Sequence, residues 1–160
     1  MKNLLTSLIL FASLTSGMAS CDKGNDPASI PENGNSNVTS NNPTGSKMKI
    51  TIGSAVFTAT LYDNPSAIAF KARLPLTIKM EDLNANEKFY YFSSILPTSA
   101  SAGGNIQVGD LMLYGNNCLV LFYKGFNTSY TYTRLGKIDD VAGLVPALGS
   151  RNVTIKFDNN

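Results

Sequence analysis

The run Cys118-Leu119-Val120-Leu121-Phe122-Tyr123 constrains this chain more than any other segment. It follows Gly115-Asn116-Asn117, residues that tolerate positive φ and suit a hairpin turn, and so reads as a strand. Successive side chains of a strand point to opposite faces. Cys118, Val120 and Phe122 therefore alternate with Leu119, Leu121 and Tyr123, and both sets are apolar. Such a strand must be covered on both sides. An open sheet with one wet face does not supply that cover. A closed sheet does, with one set of side chains inside and the other beneath a capping helix.

The same period of two recurs from Lys47 onward. Met48–Ile52 and Ala55–Tyr62 flank Gly53-Ser54 as a hairpin. Leu76–Leu83, Lys88–Ser93, Asp110–Tyr114, Ser129–Leu135 and Asn152–Phe157 read as further strands. Two stretches break the rhythm. Asn64 to Pro75 reads as a helix: Asn64 caps it, Pro65 suits its first turn, and Ala67, Phe70 and Leu74 share a face. Asp139 to Leu144 reads as a second helix with acidic residues at its N-terminus, ended by Pro146 and Gly149. Pro97 to Val108 reads as a mobile loop. The expected architecture is all-β with two short helices, and eight strands are the number that closes a small β-barrel filled by its own side chains.

Ahead of this domain stand two segments of different character. Residues 1–20 begin with Lys2, continue through the apolar run Leu4 to Leu14, and end in small residues before Cys21. The run is shorter than the roughly 20 apolar residues a spanning helix needs, and its flanks fit a cleaved export signal. Met18-Ala19-Ser20-Cys21 resembles the lipobox of bacterial lipoproteins. That resemblance implies lipidation of Cys21 and a place in the cell envelope, anchored to a membrane. Residues 21–46 then form a tether rich in Asn, Gly, Ser and Pro, with too little apolar surface to offset the entropy of ordering it. The folded domain is expected over residues 47–158.

Charge and cysteine usage narrow the partners. The 13 basic and 11 acidic residues are scattered, so the chain has no basic footprint for nucleic acid. Two cysteines in an exported chain invite a disulfide reading. Cys21 has a better use as the lipid site, which leaves Cys118 as a small buried apolar side chain.

Within the domain, Gly109-Asp110-Leu111-Met112-Leu113-Tyr114-Gly115, Leu119 to Tyr123, and Tyr130-Thr131-Tyr132-Thr133-Arg134-Leu135-Gly136-Lys137-Ile138 resemble the bacterial cyclophilin-like domain family. Lys49-Ile50-Thr51-Ile52-Gly53 and Phe57 to Leu61 fit as well. The resemblance spans residues 47–158. It implies the cyclophilin barrel, eight strands capped by two helices, without the motifs of prolyl isomerases: the chain has no histidine and no Phe-x-Arg segment.

The absence of histidine removes imidazole-based triads and most zinc sites. The adjacent carboxylates Glu81-Asp82 point to opposite faces of a strand, and Asp139-Asp140 suit a helix cap. No catalytic residue, cofactor or metal site is expected. The candidate ligand-binding residues are Arg134, Tyr132 and Tyr130, which share one strand face, with Tyr114 and Tyr91 completing an aromatic rim. Arginine stacks on tyrosine and grips carboxylates or carbonyls. The bland alternative is that Arg134 pairs with Asp110 or Asp139 and locks a loop. The expected function is a non-catalytic binding module for a small molecule or peptide. A divergent prolyl isomerase using Arg134 and a structural or assembly protein of the envelope are the competing readings. Cys21→Ala is expected to move the protein from the membrane to the soluble fraction without changing its melting temperature. Retention in the membrane fraction would exclude the lipid anchor.

Overall fold

Alternation of buried and exposed residues runs along β1 (Lys47–Ile52), where Met48, Ile50 and Ile52 are buried. It continues along β2 (Ala55–Leu61), where Phe57, Ala59 and Leu61 are buried. The two pair as an antiparallel hairpin turned at Gly53, whose φ of 58° suits glycine. The computed structural model describes residues 42–160, all within one compact unit. The leader, Cys21 and the tether up to residue 41 lie outside the described residues. The β2 ladder continues beyond β1: the Gly45 amide donates to the Leu61 carbonyl at 2.8 Å, and the Leu61 amide donates to that of Ser46 at 2.9 Å.

The remaining strands are β3 (Leu76–Leu83), β4 (Glu87–Tyr91), β5 (Ser101–Ile106), β6 (Asp110–Tyr114), β7 (Cys118–Phe122), β8 (Phe126–Ile138) and β9 (Val153–Asn159). They form one sheet in the order β2-β1-β9-β3-β4-β7-β6-β8-β5, and β8 also pairs with β2. Eight strands therefore make a ring, with β5 attached outside it. Every strand of the ring contributes to the inner core, through residues such as Ile50, Leu61, Met80, Tyr90, Leu111, Leu121, Leu135 and Phe157. Helix α1 (Pro65–Lys71) begins as expected. The Asn64 side chain accepts from the Ala67 amide at 2.9 Å, and Pro65 occupies the first turn. Its Phe70 packs edge-on against Phe157, with centroids 5.9 Å apart.

Several expectations need correction. The segment expected as a mobile loop contains β5, a ninth strand paired with Phe126–Tyr132 of β8. Its composition hides it, because Ser101-Ala102-Gly103-Gly104 has no strand propensity. At Gly103 the strands lie close: a Cβ there would lie 2.8 Å from Thr128 Cγ2 and 3.1 Å from the Tyr132 ring. Helix α2 spans Leu144–Leu148, not Asp139–Leu144. Asp139 accepts from Lys47 Nζ at 2.9 Å and from the Thr60 hydroxyl, while Asp140 closes a turn by accepting from the Ala142 amide. The outer face of β7 is not covered by a helix. The apolar residues that the helices bury, Ala67 and Phe70 of α1 and Leu144 and Leu148 of α2, lie in the inner core. Cys118, Val120 and Phe122 instead form a second, outer cluster with Ile106, Met112 and Tyr132, flanked by Phe89 and Phe126.

At one end of the ring sits a wholly buried lysine, Lys88. An ammonium has three protons to donate, and each finds an acceptor. Asp82 Oδ1 of β3 lies at 2.6 Å, the Gly149 carbonyl at 2.9 Å and the Arg151 carbonyl at 2.8 Å. The Tyr123 ring lies 5.1 Å from Nζ, and its hydroxyl donates to Asp82 at 2.6 Å. The hydrogen bonds from Lys88 and Tyr123 hold the Asp82 carboxyl below its ordinary value. Burial, reinforced by Asp82, pushes the Tyr123 hydroxyl up to about 12. A group whose folded-state value is depressed contributes stability that is complete above its unfolded value and is lost as pH falls through the folded one. Lys88→Met strands the Asp82 carboxylate and two carbonyls. It is expected to cost about 3–5 kcal/mol in denaturant unfolding. Asp82→Asn is expected to flatten the loss of stability that the native protein shows below about pH 4.

Candidate functional site

The parity of β4 separates two environments. Lys88, Tyr90 and Phe92 turn toward the inner core, and Glu87, Phe89 and Tyr91 turn outward. There they meet the outer face of β7, where Cys118 and Val120 are both buried. Strands β6 and β8 contribute Tyr114, Phe126, Tyr130 and Tyr132, and the β3–β4 turn contributes Leu83, Asn84 and Asn86. Together these residues line a cavity of about 500 Å³ on the outside of the ring.

Aromatic side chains form most of its wall. Tyr132 is 7% exposed and belongs to the floor; Tyr114, Tyr91 and Tyr130 are 43%, 59% and 66% exposed and form the rim. Tyr114 touches both Tyr132 and Tyr130, with centroids 5.6 and 6.4 Å apart. Phe122 lies behind Tyr132 at 5.5 Å and also meets Phe126 at 5.6 Å. Phe89 and Tyr91 meet edge-on at 5.8 Å. Edge-to-face contacts of this kind favour defined ring orientations. Burial, with the Glu87 charge as the next cause, pushes the Tyr132 hydroxyl up to about 12.

Two reactive groups face this wall. Burial pushes the Cys118 thiol above its ordinary range, and the hydrogen bond from Tyr91 only partly offsets that. The thiol is free but is held in its neutral form, unlike an activated nucleophile. Glu87 is 9% exposed. Burial alone pushes its carboxyl upward, and no hydrogen bond or ion pair reaches it among the described residues. Among those residues, no group of three or more His, Cys, Asp or Glu side chains comes close enough to hold a metal ion.

Tyr91, Tyr114, Tyr130 and Tyr132 are thus brought together, whereas Arg134 stands apart from the cavity. It pairs in register with Met112 of the outer cluster, so it shares the face of Tyr132 as alternation requires. Its Nη2, however, donates to the Gly103 carbonyl of β5 at 3.2 Å. It also hydrogen-bonds Tyr62, whose hydroxyl is nonetheless pushed up, chiefly by burial. The cause lies in the edge of β8. That edge is shared between β5, along Phe126–Tyr132, and β2, along Gly136–Ile138, and Arg134 falls in the gap. Its own carbonyl there accepts from Asn64 Nδ2 at 2.9 Å. Arg134 therefore fastens β5 to β8, close to the loop-locking role but with a carbonyl as partner. Asp139 pairs with Lys47, and Asp110 lies 3.9 Å from Lys137.

Sequence reasoning did not reach Glu87, Phe89 or Asn86. The only signal was a Glu-Lys pair at the head of an aromatic strand, where one charge must face each side.

Comparisons with known proteins concern the fold. A family model described as the cyclophilin-like family matches residues 50–158. No curated protein matches the chain. Among solved structures, the solution structure of a hypothetical protein from Archaeoglobus fulgidus is similar, with a TM-score of 0.51 and 14% identity. The alignment covers 76% of this chain and 99% of that one.

The raised Glu87 carboxyl has a thermodynamic consequence. The folded state takes up its proton at a higher pH than the unfolded chain, so ionisation opposes folding as pH rises through the folded value. Glu87→Gln is expected to raise Tm by a few degrees at pH 8. The difference from the native protein should disappear near pH 4. A lower Tm for the variant at pH 8 would contradict this account.

Proposed function

The chain belongs to the cyclophilin-like family, and from that premise we propose that it is a lipid-anchored protein of the cell envelope. Its closed eight-stranded barrel carries an aromatic pocket for a small molecule or peptide and performs no catalysis. The observation that supports this most is the cavity itself. Its volume of about 500 Å³ lies in the range of ligand pockets, roughly 300–1,000 Å³, and its lining is largely apolar with a few polar groups, as ligand sites are. The anchor rests on the leader and on Cys21, and the tether would let the pocket face outward from the membrane.

The competing readings fit less well. A prolyl isomerase built on Arg134 needs that guanidinium free beside the aromatics. Here it is occupied by the Gly103 carbonyl and Tyr62 and does not border the cavity. A purely structural role calls for aromatics packed against one another without a void, whereas Tyr130, Tyr91 and Tyr114 stand at an open mouth.

Thermal melting against a panel of amphiphilic small molecules and short peptides tests the proposal. A ligand at 100-fold its Kd stabilises the native state by about 2.7 kcal/mol, enough to shift Tm measurably. Tyr130→Ala is expected to shrink the shift and Arg134→Ala to leave it intact, with no acceleration of X-Pro isomerisation by either variant or by the native protein. Equal shifts in native protein and Tyr130→Ala would remove the cavity as the site.

A further inference from the structure

The polar groups of the cavity are unbalanced in one direction. Glu87 is the one formally charged side chain among the described residues that line it. It is more than nine-tenths buried and has no hydrogen-bond or ion-pair partner among those residues. A buried carboxylate without compensation is costly. The adjacent Lys88 cannot supply it, because its ammonium lies on the opposite side of the sheet with all three protons committed. The nearby Tyr91 hydroxyl is engaged with the Cys118 sulfur. A carboxylate without a counter-charge thus lines the cavity, and the walls around it are π faces that attract cations.

We infer that the cavity binds an organic cation, an ammonium or guanidinium group joined to an aromatic or apolar body. The cationic head is held by Glu87, and the body lies against Tyr114, Tyr130 and Tyr132. An ammonium carries three donors and a positive charge, which matches the lone carboxylate, and an anionic ligand is repelled. This inference rests on the cavity being a ligand site and specifies the chemistry that it takes. A free amine and a lysine or arginine side chain of a peptide offer the same head group.

Isothermal titration of the intact chain with phenethylamine and with 2-phenylethanol separates charge from shape, since the two differ in the head group alone. Phenethylamine is expected to bind about tenfold more tightly or better, a difference of about 1.4 kcal/mol. Glu87→Gln is expected to bring the amine down to the affinity of the alcohol while alcohol binding persists, which reports an intact pocket. Glu87→Asp, with the charge kept on a shorter arm, should retain part of the preference. N-acetyl-Phe-Lys-amide identifies the source: tighter binding than phenethylamine points to a peptide side chain, weaker binding to a free amine. Equal affinity of amine and alcohol, or an undiminished preference in Glu87→Gln, overturns the cation assignment and leaves the pocket standing. If neither compound binds, the cation assignment falls, and the wider panel of amphiphiles and peptides decides the ligand-site reading separately.

Discussion

A buried ammonium organises this molecule. Lys88 is fully enclosed, and its charge is tolerable only because a carboxylate and two carbonyls receive its three protons together. Those acceptors belong to β3 and to the connection between α2 and β9. Strand β4 is thereby held in one phase against its surroundings. A one-residue slip would turn every side chain of a strand to the other face, placing Glu87 and Phe89 in the inward positions, turning Lys88 outward and dismantling the outer wall. The outward direction of Glu87, Phe89 and Tyr91 therefore follows from the inward direction of Lys88.

The outer cluster is the second consequence of one strand having two apolar faces. Leu119 and Leu121 are satisfied by the inner core. Cys118, Val120 and Phe122 need cover from outside, and β5 supplies only part of it through Ile106. Aromatic side chains of β4 and β8 reach over the remainder without closing it, and the cavity is what they leave. Gly103 lets β5 approach closely enough to seat Tyr132, and Arg134 fastens the same stretch through its carbonyl. Two features that look unrelated along the chain, a glycine pair and an arginine after tyrosines, serve one strand contact.

Much of the fold was legible because its signals are local. Alternation marked β1, β2 and β3, apolar runs on either side of the Gly115-Asn116-Asn117 turn marked β6 and β7, and Asn64 and Pro65 marked the start of α1. The cluster Tyr91, Tyr114, Tyr130 and Tyr132 was legible in outline, since strand parity put Tyr130 and Tyr132 on one face. The failures share a different origin. Asp139 resembled a helix cap, yet Lys47 and Thr60, far away in sequence, claim its carboxylate. The second helix consequently begins later, at Leu144. Strand β5 has no propensity of its own and exists because the edge of β8 beyond β2 is available to pair.

From its order of residues alone, the chain determined an antiparallel all-β domain with two short helices, the capped start of α1, and a strand needing cover on both faces. These follow from periodicity and backbone chemistry within a few residues. Only the tertiary structure decided which partner covers the outer face, where Arg134 spends its hydrogen bonds, and that Glu87 ends in an aromatic cavity without a counter-charge. The physical reason is distance along the chain. The carbonyls that hold Lys88 lie 61 and 63 residues away, and no local pattern in β4 announces them.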